Sequence, residues 1–465
     1  MDVLLSEGVL IPVSKYHGAI AKNELTINML EGAILSHLSA FSRTYILKTL
    51  SRIEYGSLQI IMKDQGQETS QTFGSKSKDP NMPSATLVIN NSNAWTRMSI
   101  NLDLGFAEAF MLQELECDDL MSLVSIYINN WKLFGTGNVL FQIIPRVQKW
   151  LFTQSNDSER ALKNVSAHYD TSNSLFAAFL SPDMSYSCPI WDVNKQDEPL
   201  EDAQRRKVHN IIDKACIRKE HHVLDIGGGW AFLAIEAVRK TGCRVTVITL
   251  SVEQKDLGEQ RVRDAGLEDR IEILLCDYRS TPKPTPAGFD RIVSVGMVEH
   301  VGEEYLETYF SEISRLLTPD DGVMVVQGIT VNNQRFHKTR SKVQTFIDKY
   351  IFPGGYLPSV RQLIDCLDTG SAGALEVECV QSIGPHYAKA LRLWRENFLA
   401  NWETIKVLYL KERGSMSPLD LEAFRRRWIH YFSYCEAGFR AGILGDHVIT
   451  ARRPQILTEG GIVPL

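Results

Sequence analysis

The stretch HVLDIGGGWAFLAIEAVRKTG, residues 222–242, decides the fold. Val223, Leu224 and Ile226 surround Asp225 and run into three glycines, the pattern of a buried strand ending in a tight turn. From Trp230 the spacing is helical, and Gly242 is a glycine stop. The same alternation continues: CRVTVITL before SVEQKDLGEQRVRDAG, then RIEILLCD, FDRIVSVGM, YLETYFSEISRLLTPDDG and GVMVVQGI. Strands alternating with helices of this length predict an α/β fold, a doubly wound and mostly parallel Rossmann-like sheet.

A chain of 465 residues exceeds one compact core. The expected division is a small N-terminal α+β accessory domain, residues 1–150, and the sheet domain, residues 151–465. A helical segment of about 329–440 after the fifth strand would cover a substrate. In the first part, GSLQIIMKD, ATLVINN and TRMSINLDLG alternate like strands, with GQETSQ and NNSN as turns and DPNMPS as a loop. DDLMSLVSIYINNWKLF reads as a helix and residues 155–200 as a helical connector. The net charge of −6 gives no reason to expect nucleic acid. Eight cysteines without a CxxC pair fit a reducing compartment, and no run of 18 apolar residues is present. A cytoplasmic protein is expected, with contact at a membrane surface left open.

Several residues sit where strands end, which is where such sheets bind ligands. Gly227 and Gly229 allow a sharp turn and a close approach to backbone, or serve the turn alone. Asp225 could hold an amine or order the loop. A dinucleotide site would want an acid after the second strand, and Thr249 or Leu250 stands there, so the NAD fingerprint fails. Ser251 and Gln254 have capping-box spacing. Asp277 could bond an adenine amino group or cap the next turn. VSVGMVEHVG, residues 293–302, stops on Glu299 and His300.

Read together, HYDTSNSLFAAFLSPDMSYSC, VLDIGGGWAFLA, TLSVEQ, CDYR, VSVGMVEHVG, KYIFPGGYLPSV and HYAKALRLWRENF, in this order, resemble the cyclopropane-fatty-acid synthase and mycolic-acid methyltransferase family. The resemblance runs from about Val165 to Arg453. It implies S-adenosylmethionine as cofactor and methylation of lipid carbon–carbon double bonds. It implies that Tyr186 and Ser187 line the cofactor pocket and that Gly227 and Gly229 pass under the methionine part. Thr249 and Gln254 would sit near the ribose, and Asp277 and Tyr278 beside the adenine. Cys188, Glu299, Tyr387 and the backbone at Ile329 match positions around a bicarbonate ion. Three positions depart from the family: Gly228 stands for cysteine, Ala231 for glycine, and Gln327 for the histidine that would hold bicarbonate. Glutamine carries no positive charge, which weakens the expectation of bicarbonate.

The chemistry expected is attack of an alkene on a sulfonium methyl, then loss of a proton to a base. Tyr169, Tyr186, Tyr350, Phe352 and Tyr387 are candidates to face the cation. Glu299 would hold the base or bicarbonate, or be the base, with His300 orienting the loop. The partner expected is an unsaturated lipid or another hydrophobic small molecule, with a homodimer left open. FRRRWIHYFSYCEAGFRAG faces lipid headgroups or is a core helix with an Arg edge. The alternatives are methylation of another electron-rich carbon and a binding protein without catalysis.

Overall fold

The strand–helix alternation from residue 222 onward is present in the computed structural model, which describes residues 39–64, 67–75, 79, 82–134, 172–334 and 345–454. Tyr169 and the first part of the expected connector lie outside the described residues. The strands are β1 (Ser57–Asp64), β2 (Gln67–Gly74), β3 (Ser84–Ile89), β4 (Leu115–Cys117), β5 (His222–Ile226), β6 (Arg244–Thr249), β7 (Ile271–Leu275), β8 (Arg291–Val295), β9 (Val323–Val331), β10 (Glu376–Ser382) and β11 (Leu444–Arg452).

The larger sheet has the order β10-β11-β9-β8-β5-β6-β7. β5 to β9 are parallel, and β11 and β10 add to the β9 side antiparallel. Its buried strands are rich in Val and Ile because helices cover both faces. The segment after Gly328, read as helical, contains these two antiparallel strands. β10 is an edge strand carrying Glu376, Glu378 and Gln381, and its exposed face hides the strand pattern.

The smaller sheet has the order β2-β1-β3-β4. Two readings fail here. Of the expected turn GQETSQ, Gln67–Gln71 belong to β2, which is exposed except at Phe73 and owes its form to pairing with β1. TRMSINLDLG, read as a strand, lies in the helix Asn93–Met111, which buries Trp95, Leu104, Ala107 and Phe110. Packing overrides the β-like local composition. Among the described residues of the connector, Asn173–Phe179 is helical, and helix resumes from Leu200. Between them the chain is irregular, broken by Pro182 and Pro189, and Gln204 Nε2 donates to the Ser187 carbonyl at 2.8 Å.

The helix Pro418–Arg440 joins the two sheets. Trp428, Tyr431 and Phe432 enter the main core. His430 packs at 5.7 Å and 6.2 Å from the rings of Phe106 and Phe110. Arg426 donates to Glu116 at 2.7 Å, so this arginine is turned to the smaller sheet and not to a membrane surface. Among the described residues no helix is long and apolar enough to cross a membrane.

Candidate active site

A pocket opens at the carboxyl ends of β5, β6 and β8. Its wall includes Tyr186, Ser187, Asp225, Gly227, Gly229, Thr249, Gln254, Asp277, Tyr278 and His300, which the sequence singled out. Gly227 and Gly229 have φ of 74° and 56°, a region that favours glycine. A Cβ on Gly227 would meet the Met297 side chain at 3.0 Å, whereas one on Gly229 would meet nothing within 4 Å. Gly228 is closed from below: a Cβ there would lie 2.5 Å from Val247 and 2.6 Å from Asp225 Oδ2. Ala231 precedes the helix Phe232–Thr241 with φ 64°, a strain of about 1 kcal/mol that glycine would avoid.

Ser251 is not on the wall. It caps the helix Val252–Asp264, its Oγ accepting from the Gln254 N–H at 3.1 Å. Gln254 does not reach back to complete the box; its Oε1 accepts from Thr249 Oγ1 at 2.7 Å. Asp277 caps the turn at Tyr278 and holds the Arg279 guanidinium in a two-pronged pair with both bonds at 2.8 Å. Either residue could still accept from a ligand hydroxyl or amine, since a carboxylate or amide oxygen has spare lone pairs.

Sequence reading missed Asp183 and Lys207. Asp183 Oδ2 and Asp225 Oδ2 are buried acceptors without a donor. Burial raises Asp225 to about 7, with Lys207 opposing. Lys207, itself lowered by burial, donates to Ser187 Oγ at 2.8 Å. Two buried carboxyl oxygens that lack donors suit a ligand carrying an ammonium group. S-adenosylmethionine, with its α-amino group and sulfonium, fits this cradle.

Directly behind the wall lies a second cluster. β8 stops at Val295 beside Gln327, which leaves the Ile329 N–H beyond the pairing. Glu299, on the 3-10 turn Val298–His300, accepts that N–H at 2.5 Å through Oε1. Burial lifts Glu299 to about 7 and lowers His300 to about 4, so His300 is neutral near pH 7. Gln327 Nε2 donates to the Cys188 carbonyl at 3.3 Å, and the Cys188 thiol donates to the Ile383 carbonyl at 3.4 Å. Burial raises Cys188 and Tyr387 well above their ordinary values. Asp446 of β11, also missed, is buried here and likewise raised, first by burial and then by Glu299.

Bicarbonate does not fit this cluster. The Ile329 N–H, the Gln327 amide and the Cys188 thiol are already given to protein oxygens. Glu299 Oε2, Gln327 Oε1 and Asp446 Oδ1 are acceptors without donors. An anion added among them would meet oxygens of its own sign.

Aromatic rings pack behind the pocket wall at Tyr186. Tyr186 has the rings of Phe176 and Trp394 at 5.2 Å and Phe352 at 6.5 Å, and its hydroxyl donates to Tyr431 at 2.8 Å. Tyr387 packs on Phe439 at 4.6 Å and Trp394 at 5.8 Å. Tyr350 does not join them; its hydroxyl donates to Glu108 Oε1 at 2.9 Å, on the helix Asn93–Met111.

A doubly wound sheet with a glycine cradle, Asp225 at the end of β5 and Asp183 in the same pocket fits the class of S-adenosylmethionine-dependent methyltransferases. Comparison with known proteins places the chain within that class. It belongs to the mycolic acid cyclopropane synthetase family, whose family model matches residues 156–448. It is 38% identical to the tuberculostearic acid methyltransferase of Mycobacterium tuberculosis over 79% of this chain and 82% of that one. It is 33% identical to the cyclopropane-fatty-acyl-phospholipid synthase of Escherichia coli over 77% of this chain and 85% of that one. A mycolic acid cyclopropane synthase solved with SAH and CTAB is 31% identical, with a TM-score of 0.54 over 63% of this chain and 98% of that one. A coclaurine N-methyltransferase, 18% identical with a TM-score of 0.59, shares the fold.

Proposed function

We propose that the chain moves the methyl carbon of S-adenosylmethionine onto a carbon–carbon double bond of an unsaturated fatty acyl lipid. The observation that carries this reading is Glu299: buried, with Oε2 unpartnered, and next in the chain to pocket-lining His300. A carboxyl raised to about 7 by burial is a base poised near working pH. S-adenosylmethionine supplies a sulfonium methyl when bound. Asp225 and Asp183 would hold its ammonium group, and the glycine turn would let its chain lie close. The alkene π pair would make the new bond to the methyl carbon as the methyl–sulfur bond breaks and its pair stays on sulfur, which leaves a cation on the neighbouring alkene carbon. Tyr186, on the pocket wall with Phe352 packed against it, would offer its ring to such a cation and help exclude water. A proton then passes to Glu299, and the C–H pair closes a ring or forms a new double bond.

The substrate would be reached at a lipid surface. Arg413 and Arg427 line a second cavity with Lys349, which is paired with Glu108, and would be the basic side chains to meet a lipid phosphate. The test is mass spectrometry of lipids from cells with and without the protein, and from unsaturated phospholipid vesicles treated with the purified chain. The expected product gains one CH2 unit per double bond. Lipids of unchanged mass in both would refute the reading.

A further inference from the structure

Asp446 gives the inner cluster a second carboxyl. It lies on β11 opposite Ile329, and Gln327 is its diagonal neighbour on the same face of β9. Glu299 reaches Ile329 from the free β8 side. The two carboxyl groups are 7% and 2% exposed for Glu299 and Asp446. Their oxygens Oε2 and Oδ1, with Gln327 Oε1, are left without donors. Lys207, the cation that acts on Asp446, gives a hydrogen bond to Ser187 instead. The other titratable groups facing the two are Cys188, Tyr387 and Tyr309, all kept neutral near pH 7 by burial. Two buried carboxyls in one such cluster do not both ionise readily. One proton held by the pair leaves the cluster a single negative charge.

We propose that Glu299 and Asp446 share one proton, with Asp446 positioning Glu299, and that this pair takes the proton lost after methyl transfer without bicarbonate. The inference rests on the proposed C-methylation. In the step, a C–H bond of the methylated substrate breaks and its electron pair satisfies the adjacent cation. The proton goes to Glu299 Oε2 while Asp446 keeps the shared one, and the added proton later leaves to water.

The test uses the full chain, S-adenosylmethionine and vesicles of unsaturated phospholipid in carbon-dioxide-free buffer, with and without added bicarbonate. The wild-type rate is expected to ignore bicarbonate. Asp446→Leu should lose about 10²-fold in rate with cofactor affinity kept. Asp446→Asn still donates a hydrogen bond but cannot ionise, so it should recover most of that loss. Its rate–pH profile should show one ionisation where the wild type shows two. Without any substrate, the infrared difference between wild type and Asp446→Asn should contain a carboxylic-acid band at neutral pH. Stimulation of the wild type by bicarbonate, a full-speed Asp446→Leu, or a missing band overturns the proposal. If no vesicle lipid is turned over, the lipid reading fails while the infrared band still decides the pair.

Discussion

Asp225→Asn separates cofactor binding from the cost of burying a charge. Asp225 is 1% exposed, and its carboxyl rises from the ordinary 3.8 to about 7. That rise corresponds to about 4 kcal/mol against the ionised form in the free protein. The sign follows from which state holds the proton. An unfolded chain loses it near 3.8 and the folded chain near 7, so stability from this group is full below about 4 and drains away as pH rises to about 7. Asparagine does not titrate. Without ligand, Asp225→Asn should therefore gain on the wild type by about 3 kcal/mol in urea unfolding between pH 5 and pH 8. Ligand reverses the ranking. At pH 8 the wild type presents a carboxylate to an ammonium group, and the variant should bind S-adenosylmethionine at least about tenfold more weakly, 1.4 kcal/mol. Near pH 6, wild-type binding should release a proton, seen by calorimetry in buffers of different ionisation enthalpy. A stability gap indifferent to pH, or equal affinity in the two proteins, would refute the reasoning.

Two further outcomes follow from the site. Glu299→Gln should cut turnover by roughly 10²-fold or more with cofactor affinity nearly kept, and the wild-type rate should climb with pH through about 7 as the carboxyl ionises; full activity in the variant would remove Glu299 from the chemistry. Gly227→Val should weaken S-adenosylmethionine binding at least about tenfold in calorimetry, because its Cβ meets Met297 at 3.0 Å and its φ of 74° is hostile to a branched residue. Unchanged affinity in a folded variant would place the ligand elsewhere.

The sequence made the pocket wall legible because parallel strands deliver their last residues to one edge. Asp225 and Thr249 stand in the last residues of β5 and β6, Asp277 and His300 follow β7 and β8, and all four line the pocket. Asp183 and Lys207 gave no such signal: one lies in an irregular loop, and a lysine on a charged helix normally faces water. Asp446 was hidden more deeply. It stands on an antiparallel strand that closes beside β9 only through folding, far along the chain from Glu299. Tyr350 and Phe352 show the limit from the other side. Two residues apart, they point to different partners, Glu108 and Tyr186, and only the turn between helix and loop decides which packs on pocket-lining Tyr186.

The helix Pro418–Arg440 also sets a timetable. The described strands of the smaller sheet are complete once Cys117 is made, yet the helix that covers Phe106 and Phe110 begins roughly 300 residues later. At about 5–20 residues per second, ribosomal synthesis leaves that apolar side waiting for tens of seconds. The nascent chain then spends most of its time on the ribosome without its own cover, a natural client for a chaperone that holds exposed apolar surface.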